Sequence, residues 1–250
     1  MRTYLPILLV GLFACGGDGG GGDGGGGDAS PDSSGTVDAA PDAPSAPAMI
    51  TLSGTATSRT AGGAQNVADA VIAAYRSSDE ATPVAMTTTA ANGTFTLTVP
   101  TGGVALDGFL KATKAGFVVT YLYAPKPITA DTAMLPINML TTTNYEALYN
   151  LTRVPKEANK GTVALVVTDA ATMPVAGAAI SSTPAATYKY NMNGLPSSSA
   201  TVTAADGVGY MMNAPLGAIT VSATKTGSTF ASHGVKVFQD SLTTTLIVPQ

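Results

Sequence analysis

The chain has 250 residues but only one cysteine, one histidine and no tryptophan; 11% of its residues are charged and 6% aromatic, whereas an average domain is about a quarter charged. Each shortage excludes something. Cys15 alone cannot build an internal disulfide framework, and with His233 as the sole imidazole the chain cannot assemble a Cys/His zinc site. No metal and no cofactor is therefore expected. Twelve Lys and Arg against sixteen Asp and Glu give no basic surface for nucleic acid. The acidity is also local: Asp18, Asp23, Asp28, Asp32, Asp38 and Asp42 all precede residue 49, and residues 49–250 are nearly neutral. The net charge of −4 describes the leading segment and supplies no argument for a cationic partner of the remainder.

What is present begins with an address. Arg2 precedes the apolar stretch Leu5-Pro6-Ile7-Leu8-Leu9-Val10-Gly11-Leu12-Phe13, which is too short to span a bilayer and reads, over residues 1–14, as an export signal. Leu12-Phe13-Ala14-Cys15 resembles the bacterial lipobox. That resemblance implies that Cys15 becomes the first residue of the mature chain and carries acyl groups, so that the membrane is a partner through a lipid anchor. Each buried CH₂ contributes about 0.8 kcal/mol, and several long chains make anchoring effectively permanent. Gly16 stands where some inner-membrane lipoproteins carry a retention Asp, so the expected location is the bacterial cell envelope, at the outer membrane.

Residues 15–48 are Gly/Asp-rich and then Pro/Ala-rich, a composition that cannot bury a core and predicts a disordered tether. The Gly/Asp repeats contain no apolar residue with which a calcium β-roll could build an interior. From Met49 the period becomes two. Ile50 and Leu52, Phe95, Leu97 and Val99, and Ile219 and Val221 alternate with Thr and other small residues, as half-buried strands do.

The body also repeats itself. Val67-Ala68-Asp69-Ala70-Val71-Ile72 matches Val175-Ala176-Gly177-Ala178-Ala179-Ile180, and Thr89-Ala90-Ala91-Asn92-Gly93 matches Thr203-Ala204-Ala205-Asp206-Gly207. Ala112-Thr113-Lys114-Ala115-Gly116 matches Ala223-Thr224-Lys225-Thr226-Gly227. A spacing of roughly 110 residues is that of duplicated domains. The order of these pieces resembles the carboxypeptidase regulatory-like family, whose members are prealbumin-like (transthyretin-like) β-sandwiches. The resemblance implies an all-β fold of two tandem seven-stranded Greek-key β-sandwiches, over 49–140 and 160–250, following the tether. The catalytic zinc module that gives the family its name needs several ligands and cannot be assembled here from one His. Asn92-Gly93 and Asp206-Gly207 are expected to make tight hairpin turns, and Gly116 and Gly227 to end strands before the chain crosses to the other sheet. Phe95, Phe109 and Tyr210 are expected to fill the sandwich interiors against small residues. Between the copies, in the linker 141–159, Tyr145, Leu148, Tyr149 and Thr152 are spaced for a short amphipathic helix with Asn144 as its cap and Pro155 beyond its end.

Reactive chemistry is sparse, and no catalytic residue is assigned. His233 with Ser232 and Asp206 or Asp240 has the residue types of a hydrolytic triad but no nucleophile-elbow context, and reads as a surface histidine on a strand edge. Asp79-Glu80 reads as a solvent-facing polar turn, and Met211-Met212 as core filling, since neighbours in a strand point to opposite faces. The insertion from Pro184 to Ser199 in the second copy carries Tyr188, Tyr190, Met192 and Leu195 and is the candidate binding loop. These readings favour a non-enzymatic, membrane-anchored lipoprotein acting as a structural, adhesive or protein-interaction module toward envelope proteins. The alternative is a carbohydrate or cell-wall binding lipoprotein that uses the Tyr188 and Tyr190 loop on glycans. A third reading has sheet edges presented to a larger complex.

Overall fold

The computed structural model describes residues 45–60 and 63–250. The export signal, Cys15 and the tether as far as Pro44 lie outside the described residues. The first half contributes β1 (Met49–Thr60), β2 (Gly63–Asn66), β3 (Val71–Arg76), β4 (Ala85–Thr88), β5 (Thr94–Pro100), β6 (Gly108–Thr113), β7 (Thr120–Tyr123) and β8 (Thr132–Asn138). After α1 (Thr142–Thr152) come β9 (Lys160–Val167), β10 (Ala179–Thr183), β11 (Thr187–Met192), β12 (Leu195–Ser197), β13 (Val208–Pro215), β14 (Gly217–Thr224), β15 (His233–Val237) and β16 (Leu242–Ile247). The alternation explains the strands directly. In β5, Phe95, Leu97 and Val99 are buried while Thr94, Thr96 and Thr98 face water.

The duplication is visible in the hydrogen bonding. β1 pairs antiparallel with β5 and parallel with β8; β9 does the same with β13 and β16. β3, β6 and β7 form an antiparallel ladder, as do β10, β14 and β15. The remaining strands differ: β2 extends β1 as a hairpin and β4 lines β3, whereas β11 pairs with β13 and folds back as β12. Each half therefore carries eight strands, one more than the resemblance implies.

The all-β architecture is of sandwich type, with a core in each half and a third cluster under α1. Ile50, Leu52, Ile72, Phe95, Leu97, Val99, Leu110 and Ile137 belong to the first; Val163, Leu165, Ile180, Met211, Ile219, Val221, Val235 and Ile247 belong to the second. The halves are not two separate beads. β7 of the first lies parallel to β16 of the second, with Thr120, Tyr121 and Leu122 opposite Leu242, Thr243 and Thr244. Their layers thereby fuse into one nine-stranded sheet ordered β12-β11-β13-β9-β16-β7-β6-β3-β4. Cluster membership gives the faces. Leu122 packs on the first core, whereas Tyr121 and Tyr123 join the second. The smaller layer of the first half thus covers one face of the long sheet, and the β10-β14-β15 layer covers the opposite face further along.

Four sequence expectations are corrected. Helix α1 buries Tyr145, Leu148, Tyr149 and Thr152 as spaced, but its cap is Thr141, whose hydroxyl accepts from Asn144 N at 3.1 Å. Asn144 instead donates its side-chain amide to Arg59 O at 2.6 Å. Neither Asn92-Gly93 nor Asp206-Gly207 is a hairpin turn: β4 and β5 lie in different sheets, and β12 and β13 share the long sheet with β11 between them. The Asn-Gly hairpin is Asn193-Gly194, both residues at positive φ between β11 and β12. After Gly116 and Gly227 the chain stays in the same sheet, as β7 pairs with β6 and β15 with β14. The end of the tether is ordered: Ser45 bridges Val104, Ala46 N donates to Gly103 O at 3.0 Å, and Ala48 O accepts from Thr101 N at 2.9 Å.

Candidate functional site

The Tyr188 and Tyr190 hairpin is built by a two-residue alternation that turns both rings to one side of β11. Tyr190 is 4% exposed, and its hydroxyl accepts from Ile180 N at 3.0 Å. Tyr188 is half-buried, and its hydroxyl accepts from Ser182 N at 2.9 Å. Both rings pack on the second core. The expectation that these rings stack on a ligand is corrected for Tyr190, because burial has already used its faces. What the hairpin offers to solvent is Met192 and Leu195, flanking the Asn193-Gly194 tip.

The richest concentration of side chains lies elsewhere, at the crease where β15 stands against the outer face of β3, β6 and β7. Tyr75 stacks on Phe109 at 5.3 Å between centroids, Phe109 meets Tyr121 at 5.7 Å and Tyr123 at 5.0 Å, and Phe238 stacks on Tyr121 at 4.0 Å. Lys236 pairs with Glu80 across the halves and holds its ammonium 5.4 Å from the Phe238 ring centroid. Lys111 lies over Tyr121 at 5.9 Å. Two expectations change here. Glu80 is an inter-repeat ion-pair partner rather than a free turn carboxylate, although Asp79 remains exposed and accepts from Ala81 N at 3.0 Å. Phe109 leaves the first interior and packs with the second core, as its position on β6 next to Leu110 requires. The signal for this crease was present in Phe109-Leu110 and Tyr121-Leu122-Tyr123: consecutive large apolar residues mark strands buried on both faces.

The residue types of a hydrolytic triad are dispersed. Ser232 is exposed. His233 is half-buried rather than a surface side chain, and its Nε2 lies 2.8 Å from Thr245 Oγ1; burial pushes its pKa below the ordinary histidine value. Asp206 is 5% exposed, accepting from Asn191 Nδ2 at 2.7 Å and from Val208 N at 3.2 Å, while Tyr210 donates to Asn191 Oδ1 at 3.1 Å. Asp240 pairs with Lys156 at 3.1 Å. His233, Asp206 and Asp240 are each spent on a different structural partner. Met211 and Met212 are both fully buried on opposite faces of β13, one in the second core and one under α1. Among the described residues no group of three His, Cys, Asp or Glu is placed to hold a metal ion. No helix among them is long and apolar enough to cross a membrane.

The class that this geometry defines is an all-β double sandwich with a shared sheet. No protein-family pattern matches the chain, and no curated protein matches it. Among solved structures, the shaft pilin SpaA from Lactobacillus rhamnosus GG is similar over 81% of this chain and 98% of its own, at 16% identity and a TM-score of 0.26. GBS52, the minor pilin of Streptococcus agalactiae, is similar over 80% and 96%, at 12% identity and 0.26. The Bacillus anthracis TIE protein is similar over 80% of this chain at 13% identity and 0.25, and the chain spans 34% of that protein's length. Scores this low leave the fold to be argued from its own sheets.

Proposed function

We propose that this chain is a non-enzymatic lipoprotein of the bacterial cell envelope. In this reading Cys15 carries the acyl chains, the tether to Pro44 gives reach, and the fused pair of carboxypeptidase regulatory-like sandwiches, 49–140 and 160–250, is the module held out to protein partners in a structural or adhesive role. The observation that carries the reading is the β7–β16 ladder. A sheet shared by both halves makes them a stiff unit, which suits a presented spacer better than a cleft that must open and close on substrate. The lipobox-like Leu12-Phe13-Ala14-Cys15 and the Gly/Asp stretch behind it support the anchored placement.

The test is metabolic labelling with a palmitate analogue in a bacterial host. The wild-type chain should carry label and sediment with membranes, and Cys15→Ala should lose both properties. A labelled Cys15→Ala chain would overturn the anchor. Hydrolysis of an ester, peptide or glycoside library by residues 45–250, lost in His233→Ala, would overturn the non-enzymatic role.

A further inference from the structure

The only imidazole of the chain sits on the joint between the halves. His233 Nε2 is 2.8 Å from Thr245 Oγ1, and Thr245 Oγ1 is 3.1 Å from the carbonyl oxygen of Tyr123. A hydroxyl has one proton and a carbonyl can only accept, so Thr245 donates to Tyr123 O and the His233 Nε2–H donates to Thr245. This relay fixes the tautomer and leaves the lone pair on Nδ1. It also runs from β15 through β16 to β7, crossing both layers of the second sandwich and the ladder that fuses it to the first.

His233 Nδ1 is buried and has no hydrogen-bond partner. Protonation would place an N–H there with nothing to receive it. β14 and β16 carry no titratable side chain, and β9, which also packs against β15, brings only Lys160. β7 brings Tyr121 and Tyr123, and the Tyr123 hydroxyl is itself buried without a partner. On β15 itself, Lys236 is matched by Glu80 across the crease, and Lys111 lies over Tyr121. No carboxylate is therefore placed to receive an imidazolium, and burial alone moves its titration.

We propose that His233 makes the joint between the two sandwiches acid-sensitive: the neutral imidazole ties β15 to β16 and β7, and protonation adds a buried Nδ1–H with no acceptor, which favours the open joint. A histidine depressed in the folded state contributes full stability above its unfolded pKa of about 6.5 and loses it as the pH falls below that value. Opening of the joint then rises by up to about tenfold per pH unit, until the folded-state pKa is reached.

With a single histidine, nitrogen NMR of the full chain reads the site without assignment ambiguity. The expected result is an Nε2–H tautomer with a titration midpoint below about 6.5; an Nδ1–H tautomer, or a midpoint at or above that value, overturns the proposal. Hydrogen exchange gives a second readout. After correction for intrinsic rates, β15 and β16 amides should open more at about pH 5.5 than at about pH 7.5, by up to about tenfold. His233→Gln keeps a donor for Thr245 but does not titrate, and should lose that dependence. A His233→Gln chain with the wild-type slope also overturns it, and should that variant fail to fold, the NMR titration of the wild type decides.

Discussion

Thr89 and Thr203 occupy the same place in the two halves and make the same pair of bonds. Thr89 Oγ1 accepts from Ala70 N at 2.9 Å and donates to Val67 O at 2.7 Å; Thr203 Oγ1 accepts from Ala178 N at 2.9 Å and donates to Val175 O at 2.7 Å. Each hydroxyl fastens the loop that enters β3 or β10 to the loop that precedes β5 or β13, and does so at 2% and 3% exposure. Thr89→Val or Thr203→Val keeps the shape and orphans a buried N–H and C=O. Each should cost about 1–3 kcal/mol by chemical denaturation, with Thr→Ser retaining most of the stability. A neutral Thr→Val result in both halves would show that water replaces the hydroxyl.

The corners that follow are set by close approach as well as by φ. Gly93 has φ +76°, and a Cβ there would sit 2.6 Å from Ala56 O; Gly207 has φ +66°, with Val167 O at the same 2.6 Å. Backbone cannot retreat as a side-chain tip does. Gly93→Ala and Gly207→Ala should each lose upwards of about 2 kcal/mol. Gly102→Ala, at φ +68° but with nothing within 4 Å, should lose less. Equal losses at all three positions, measured by thermal unfolding, would leave strain alone as the cause.

These shared turns were legible in the sequence as turns, though read there as hairpins, because their chemistry is local: Thr-x-x-Asn-Gly and Thr-x-x-Asp-Gly carry the hydroxyl and the glycine in one short stretch. The burial stripe of α1 was legible for the same reason. The fusion of the halves was not. A parallel ladder between Thr120–Leu122 and Leu242–Thr244 joins segments far apart in the chain, and neither segment has a period or turn that names its partner. The insertion showed that Tyr188 and Tyr190 share a face, yet not which face meets the core, since a strand's parity is silent on sheet order. Position 69 was the converse case. Asp69 stands where the second copy has Gly177, and it adopts φ +52° while Gly177 adopts +78°, so the departure from pattern changed the residue and kept the turn.

The crease should make the halves unfold together. Phe238 bridges them by stacking on Tyr121, and Lys236 meets Glu80 beside it. Phe238→Ala should lower stability by about 2 kcal/mol, and with Lys236→Ala should split a single calorimetric transition into two. A double variant that still unfolds in one step would show that the β7–β16 ladder couples the halves without help from the side chains.

Helix α1 is fastened by a shared hydroxyl. Tyr145 and Tyr149 both place their hydroxyls 2.9 Å from Thr162 Oγ1, and Tyr145 also donates to Ser241 O at 3.2 Å. Thr162→Val strands the Tyr149 phenol and takes one of two partners from Tyr145, and should cost more, about 2–3 kcal/mol, than Tyr149→Phe, which strands neither partner completely. Reversal of that order in denaturant midpoints would remove Thr162 from the centre of the network.

Alkaline pH tests the same packing from the other side. Burial raises the pKa of Tyr145, Tyr123, Tyr210, Tyr190 and Tyr121 above the ordinary phenol value, and the hydrogen bond between Thr162 and Tyr145 offsets only part of it at Tyr145. A group whose folded pKa lies above its unfolded one stabilises fully below the unfolded value, about 10 for tyrosine, and loses that contribution as the pH rises through the folded one. The fold should therefore weaken above about pH 10, and phenolate absorbance from these five rings should appear only together with loss of the strand signal in circular dichroism. Smooth, reversible ionisation of all nine tyrosines with the circular dichroism unchanged would mean that the rings reach water from the folded state, and the packing described for the crease and for α1 would be wrong.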